Sequence, residues 1–439
     1  MTMEVRPFKA FRFDARVVGD VGSCIAPPYD VISPEEQERL YLKSKYNIVR
    51  IIRGKTLPSD NGQDNQYTRA AKYLNEWIAA GALKEDDGEA IYGYVQDFDV
   101  GGNWFHRLTF IAEARLEEFG RTVRPHEQIL TEPLIDRLNL KKATAARFGL
   151  VFMLYEDPKN IADDIIEKAA QGSPLIDFVD DQNVRHRLYA ITAGPDIHAI
   201  TSMMAEKSCI IADGHHRYTT GLNYSRQSEN PAAKYQMLAF TNTCHEGLVV
   251  LATHRLAYNL TDFHMTALIE SLGRDFEIVE FAFDDGPGSK EQAEQKMLAQ
   301  MKHEHAGDHT AFGIYGVGRA FYTAILKEKK IMDSVVPEMS QAWRELDVSI
   351  LHKLILEKLL GIDDEKLARG ENLAYVKDTP NAISRSIAEV DAGKKQVAFF
   401  MNPVKMRQLK LVTDAGERMP QKSTYFYPKM YTGLTIEKL

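Results

Sequence analysis

The chain has 439 residues, 44% hydrophobic and 26% charged, with 54 Lys and Arg against 62 Asp and Glu and a formal net charge of −8. That length supports two or three domains, and the ordinary composition excludes a disordered, collagenous or low-complexity chain. The acidic balance argues against broad electrostatic binding to nucleic acid, and three cysteines (Cys24, Cys209, Cys244) without a CxxC pair exclude a disulfide framework or a Cys-rich zinc site.

The expectation is a reduced, soluble, multidomain cytoplasmic protein. The opening stretch carries charges at Glu4, Arg6 and Lys9 and lacks the apolar run of a secretory leader, and the longest apolar runs, such as Phe148 to Tyr155, are too short to cross a bilayer as a helix.

In chain order, Ala26-Pro27-Pro28-Tyr29-Asp30 must be extended or turning, because each proline pushes the residue before it out of the helical region. Ser33-Pro34-Glu35-Glu36 predicts a helix start: a Ser cap, Pro at the first helical position and acids in the first turn. Asn65 to Ala80 carries a helical apolar stripe (Ala70, Tyr73, Leu74, Trp77, Ile78) that stops at Gly81. Ile91 to Val95 and Leu108 to Leu116 read as strands around a turn at Gly101-Gly102-Asn103, and Phe148 to Tyr155 reads as a buried strand. Arg185 to Thr192 and Ser208 to Ala212 are strand-like and flank a short helix near His198 to Ala205.

Farther on, helices are predicted at Met265 to Leu272 and Lys290 to Lys302, and strands at Phe276 to Phe281 and Ala311 to Tyr315. Ser349 to Leu360 reads as an amphipathic helix stopped by Gly361, and Val397 to Met401 as a strand. The tail, Tyr425-Phe426-Tyr427-Pro428, is too aromatic for a disordered terminus, and its rings are expected to be ordered and packed. Elements of both kinds mix without one long parallel alternation, so the fold class is α+β. The boundary is placed between 1–258 and 259–439, near Asn259 to Phe263.

The densest chemical signal is Ile210-Ile211-Ala212-Asp213-Gly214-His215-His216-Arg217-Tyr218. A strand entering Asp-Gly and a helix beginning within His-His-Arg would aim free backbone N–H groups at an anion. Arg217 adds a bidentate donor suited to phosphate, and His215 or His216 a further hydrogen bond. Asp213 is suited to orient a histidine, a hydroxyl or a divalent cation; the plainer alternative is a capped turn with no ligand.

A second constellation is Arg124-Pro125-His126-Glu127 with Asp136-Arg137-Leu138 and Lys141-Lys142. Glu127 has the character of a general base with His126 as its partner, and Arg137, Lys141 or Lys142 that of charge neutralisers. A solvated charged helix over Asp136 to Lys142 accounts for the same residues. Thr253-His254-Arg255 either brings another His–Arg pair to the site or ends a strand. Gly313 to Arg319 lacks a dinucleotide or Walker pattern and reads as a hairpin turn.

With these blocks assembled, the chain resembles a family of uncharacterised bacterial and archaeal proteins. The resemblance rests on Arg6-Pro7-Phe8-Lys9-Ala10, Ala26 to Ser33, Pro125-His126-Glu127 with Asp136-Arg137-Leu138, Ala212 to Tyr218, Thr253-His254-Arg255 and Met419 to Lys429. The Asp-Gly-His-His-Arg block also looks like the phosphate-binding turn of the ParB/sulfiredoxin superfamily. That superfamily includes CTP-binding partition proteins, ATP-using sulfiredoxins and kinases of free serine. Carried over, Gly214, His215, His216 and Arg217 would hold nucleotide phosphates. No reactive cysteine accompanies the turn, which counts against sulfinic-acid repair. The net charge of −8 and the lack of a basic helix-turn-helix count against DNA loading.

The resemblance therefore implies an α+β protein with a ParB/sulfiredoxin-like nucleotide-binding core, insertions and a second α+β portion. Its implied activity is phosphoryl transfer from ATP or ADP (or CTP) with Mg²⁺ to a small hydroxylated metabolite, free serine being favoured. Glu127, His126 and Asp213 are the catalytic candidates, with Arg137, Lys141, His254 and Arg255 neutralising charge. The alternative is a nucleotide-binding switch acting on a protein or DNA partner without significant turnover. No membrane partner is expected, nucleic acid is disfavoured, and a homo-oligomer is left open.

Overall fold

The computed structural model describes residues 3–120, 122–127 and 132–439. Two units emerge: Met1–Pro125, Ile129–Val249 and Pro428–Leu439 form the first, and His126–Gln128 with Val250–Tyr427 the second. The architecture is α+β in both.

The first unit is built on a nine-stranded mixed sheet. Its strands are β1 (Val5–Arg6), β2 (Ile91–Val100), β3 (Asn103–Arg115), β4 (Val123–Pro125), β5 (Val151–Tyr155), β6 (Ile176–Val179), β7 (Arg185–Ile191), β8 (Cys209–Asp213) and β9 (Tyr235–Asn242). Their order is β4-β8-β5-β9-β3-β2-β7-β6, with β1 antiparallel to β3. The β4–β8 and β5–β9 pairs are parallel and the other pairs antiparallel. β2 and β3 form the hairpin expected around Gly101-Gly102, but they are longer than the apolar runs alone indicate. Their ends are held by cross-strand pairing between more polar residues such as Asp99 and Trp104. Val151, Phe152, Met153, Leu154 and Tyr155 are all buried, which explains why β5 reads as a continuous apolar run rather than an alternation. Phe110 and Phe240 stack at 4.8 Å in the sheet core.

Six helices of this unit matter for the site: α1 (Pro34–Lys43), α2 (Gln66–Ala79), α3 (Glu132–Thr144), α4 (Ile161–Ala170), α5 (Gly194–Met204) and α6 (His215–Gln227). Ser33 caps α1 by accepting from Glu36 N, as its sequence predicts. Asn65 caps α2 in a reciprocal box with Thr68, and the α2 stripe of Ala70, Leu74 and Trp77 is buried in a cluster with Leu140, Phe148 and Ile436. α3 packs against both α2 and α6.

The second unit carries a six-stranded sheet, in which β10 (Thr253–Ala257), β11 (Phe276–Ala282), β12 (Ala311–Gly316), β13 (Ala320–Leu326), β14 (Leu373–Lys377) and β15 (Val397–Phe400) follow the order β11-β13-β12-β15-β10-β14. β12 and β13 are the antiparallel hairpin that Gly313 to Arg319 predicts. Helices at Met265–Leu272 and Ser289–Ala306 fall where their apolar spacing puts them. Ser349 to Leu360 departs from its amphipathic reading. An α-turn over Asp347–Ile350 continues as a π-helix over Leu351–Glu357, and Ser349, Ile350, Leu351, His352 and Leu354 to Leu356 are buried. Tertiary packing covers the face that the pattern assigned to solvent.

The aromatic tail is ordered: Tyr425–Tyr427 is a short strand, and Phe426 is 1% exposed. Phe426→Ala is expected to cost about 3–5 kcal/mol of stability, measured by urea unfolding of the whole chain. A loss below about 1 kcal/mol would show that the tail contributes little to the core.

Candidate functional site

The turn between β8 and α6 is shaped by two local features. The β8 register steps from Ile211 opposite Met153 to Asp213 opposite Phe152, so Ala212 is bulged and the strand bends as it ends. Gly214 follows at φ +89°, a left-handed conformation that a side chain would strain, and α6 starts at His215. A Cβ on Gly214 would also lie 3.0 Å from Arg217 Nε. The strand–Gly–helix turn therefore has the form that the residues predict.

A carboxylate of the chain itself sits beside this helix start. Gly214 N donates to Asp213 Oδ1 at 2.8 Å, and Lys429 Nζ donates to Asp213 Oδ2 at 3.1 Å. Arg217 Nη2 lies 3.7 Å from the same oxygen. Burial opposes the charge on Asp213, yet Lys429, Arg217 and His215 together hold its carboxyl far below the ordinary range. Such a carboxylate is a poor proton acceptor; its physical role is to anchor the cations around it.

Arg217 reaches from α6 to donate through Nη1 to the Leu150 carbonyl, and its Nε has no hydrogen-bond partner among the described residues. Gly149 allows this approach, because a Cβ there would meet Arg217 Nη1 at 3.2 Å. The guanidinium borders a small, half-open cavity with about 70 Å³ of internal space. Arg137, Lys141, Arg147 and Arg217 line it together with Tyr29, Thr220, Gln236 and Thr432, and Ile52, Leu140, Ala146 and Phe148 supply the apolar wall. Among the described residues, none on the lining is a carboxylate.

Each cation is steadied by partners, some on the lining and some behind it. Arg137 pairs with Asp136, donates to the Ile52 carbonyl at 2.8 Å and stacks 3.9 Å over the Tyr29 ring. Arg147 pairs with Glu113 at 2.9 Å and with Glu437, and donates to the Ala232 carbonyl at 2.6 Å. Burial and the neighbouring Glu113 raise the Glu437 carboxyl above its ordinary value. Lys141 is buried, and its Nζ donates to the neutral Gln236 Oε1 at 3.1 Å. Burial, with repulsion from Arg147 opposing attraction from Glu437, pushes its amine down to about 7. The solvated-helix reading of Asp136 to Lys142 thus fails at Lys141, although Lys142 is exposed.

The structure brings Arg137, Lys141 and Arg217 to one cavity, with Asp213 beside Arg217. His215 is buried and His216 half-buried at the start of α6. The other candidates belong to the second unit. There His126 is buried and hydrogen-bonded to Thr424 Oγ1 at 2.8 Å, and Glu127 lies 3.8 Å from it and bridges to Met419. His254 and Arg255 lie within β10, not at its end. His254 Nδ1 accepts from Met401 N at 3.1 Å, and Arg255 Nη2 donates to the Lys422 carbonyl at 3.1 Å. Burial pushes the Arg255 guanidinium down to about 10.

Sequence reasoning missed Tyr29, Arg147, Thr220, Gln236, Thr432 and Lys429. Tyr29 and Lys429 stand in blocks that carry the family resemblance, which was the available signal. The rest carry no local signature, because strand pairing and the return of residues 428–439 bring them to the cavity.

The family model described as "Protein of unknown function (DUF1015)" matches residues 5–349. The chain belongs to this family. No curated protein matches the sequence. Among solved structures, a free serine kinase variant in complex with ADP aligns at 13% identity and a TM-score of 0.32, covering 70% of this chain and 84% of its own. A conserved hypothetical protein from Pyrococcus furiosus aligns at 14% and 0.31, covering 72% and 94%. C-terminally truncated SbnI from Staphylococcus aureus aligns at 8% and 0.34, covering 74% and 87%. Among the described residues of this DUF1015 chain, no helix is long and apolar enough to cross a membrane.

The Lys141 geometry has a pH signature. The folded chain binds fewer protons at Lys141 than the unfolded chain between about pH 7 and the ordinary lysine value of 10.5. This group's contribution to stability therefore rises with pH across that window, and the cost of burying its charge is fully present below pH 7. Lys141→Met is expected to raise the melting temperature at pH 6 by about 2–4 °C, the equivalent of about 1 kcal/mol, with the gain shrinking toward pH 9. Thermal melts across pH 6 to 9 check this; a gain independent of pH would show that the amine titrates ordinarily.

Proposed function

We propose that the cationic cavity of the first unit holds the phosphates of a nucleotide, ATP, ADP or CTP, and that the protein transfers a phosphoryl group to a small hydroxylated metabolite. The observation carrying this reading is the set of Arg137, Lys141, Arg147 and Arg217 around a cavity on whose lining, among the described residues, no carboxylate stands. Guanidinium groups match phosphate oxygens in bidentate geometry, so three arginines on one lining suit a polyanion. The apolar wall of Ile52, Leu140 and Phe148 suits the uncharged part of such a ligand. The Asp213-to-Arg217 turn adds its resemblance to the ParB/sulfiredoxin phosphate-binding element, which also favours free serine as the acceptor.

In this reading Arg217 and Arg137 grip the phosphate and spread its charge, while Asp213 fixes Arg217 and Lys429 in place. Among the described residues an Mg²⁺ ion finds no carboxylate ligand on the lining, and they contain no cluster of three or more His, Cys, Asp or Glu fit to hold a metal. The lining does not constitute a magnesium site, so the chain's own cations neutralise the transferred group.

That no carboxylate base stands on the lining among the described residues favours a second reading, a nucleotide-gated switch without significant turnover. Both readings require nucleotide binding, and turnover separates them.

Native protein screened by thermal shift against ATP, ADP and CTP, with and without Mg²⁺, is expected to be stabilised by one of them. Saturation at 100 times the dissociation constant adds about 2.7 kcal/mol. Arg217→Ala is expected to weaken that binding by about 1.5–3 kcal/mol, roughly 10- to 150-fold. Nucleotide-dependent formation of phosphoserine from free serine supports transfer, and binding without product supports the switch. A flat response to every nucleotide refutes both.

A further inference from the structure

The cavity's lining leaves few groups able to exchange a proton near neutral pH. Its arginines remain charged, burial holds the Tyr29 phenol above its ordinary value, and Thr220, Thr432 and Gln236 do not titrate. Among the described residues that line it, this elimination leaves the amine of Lys141. Lys141 is 6% exposed, and its amine is fixed by a hydrogen bond to Gln236 Oε1 at 3.1 Å.

The charges around Lys141 come from every side. Its own helix, α3, carries Arg137 paired to Asp136, and α2 sends the Tyr67 hydroxyl to the same Asp136. α6 presents Arg217 and the Tyr224 ring, whose centre lies 5.2 Å from Nζ. Arg147 repels the ammonium and Glu437 attracts it, but both Glu437 and Glu113 are engaged with Arg147. No carboxylate pairs directly with Nζ among the described residues; its hydrogen-bond partner is a neutral amide.

We propose that Lys141 is the general base of the cavity, receiving the acceptor's hydroxyl proton while Arg217 and Arg137 hold the phosphate; this role rests on the transfer reading. The neutral amine takes the hydroxyl proton as the acceptor oxygen bonds to the terminal phosphorus of the bound nucleotide. The bond from that phosphorus to its bridging oxygen breaks, and the nucleotide shortened by one phosphoryl group leaves with the electron pair. Lys141 ends as an ammonium hydrogen-bonded to Gln236 and releases its proton to water after the products depart. A lysine in this role explains how a site without a lining carboxylate can deprotonate an alcohol.

The deciding variant is Lys141→Arg, which keeps a cation of similar reach but cannot give up its proton. It is expected to retain the nucleotide-induced thermal shift while turnover of free serine falls about 10²- to 10⁴-fold. The wild type should show a pH–rate limb rising with a midpoint near 7, and the variant should lack it. In parallel, acetic anhydride labelling of the native wild-type protein, read by peptide mass mapping, should acetylate Lys141 with a midpoint near pH 7 and be blocked by ADP. Turnover in Lys141→Arg within threefold of wild type, or a labelling midpoint near that of ordinary lysines, overturns the base while leaving nucleotide transfer standing. Failure of the wild type to phosphorylate any acceptor despite nucleotide binding overturns the transfer reading and the catalytic role together.

Discussion

Like charges gathered in a partly buried space repel one another, and the first unit is organised around holding three arginines and a lysine at one cavity. Two unit charges about 8 Å apart cost about 2 kcal/mol at an effective dielectric of about 20, so Arg137, Lys141, Arg147 and Arg217 require compensation to coexist. The compensating carboxylates, Asp136, Asp213, Glu113 and Glu437, all stand behind the lining rather than on it. Donors therefore stay directed by their partners while their other N–H groups border the cavity.

Backbone geometry serves the same end. The Ala212 bulge ends β8 where Asp213 can meet Lys429, and Gly214 in the left-handed region lets α6 begin at once. The missing Cβ at Gly149 leaves room for the Arg217 guanidinium. The C-terminal stretch closes the arrangement: Thr432 exchanges two backbone hydrogen bonds with Ala26, two residues before Pro28-Tyr29, and Glu437–Lys438 pairs with Ala146–Arg147. Residues at opposite ends of the chain thus supply the ring under Arg137 and the carboxylate on Arg147.

The second unit gathers a different set of polar residues. Arg255 is buried within β10 beside the Tyr375 ring at 5.5 Å, and burial together with this guanidinium depresses the His352 imidazole well below its ordinary range. His254 faces Phe400 and accepts from the Met401 amide. These contacts explain why a His–Arg pair that looks chemical in sequence sits inside a sheet: His254 accepts from a backbone amide, and Arg255 donates to the Thr253 and Lys422 carbonyls.

By itself the sequence determined the local elements whose signals are local. Ser33 with Pro34, and Asn65 with the Trp77 stripe, specify helices through caps and periodicity, while Gly101-Gly102 and the glycines after Ala311 mark hairpins. Asp213-Gly214 followed by His-His-Arg announced a strand-to-helix turn, because only a residue without a side chain tolerates that conformation cheaply. Tertiary structure alone decided that Lys141 is buried against Gln236 rather than solvated, since its helix carries charges all round and the covering elements lie far away in the chain. The same holds for Arg147, whose role depends on a partner 290 residues away, and for the helix after Ser349, whose polar side is covered by packing. Periodicity reports which face of an element is apolar; the path of the rest of the chain determines what covers the other face, and that covering turned scattered cations into one cavity.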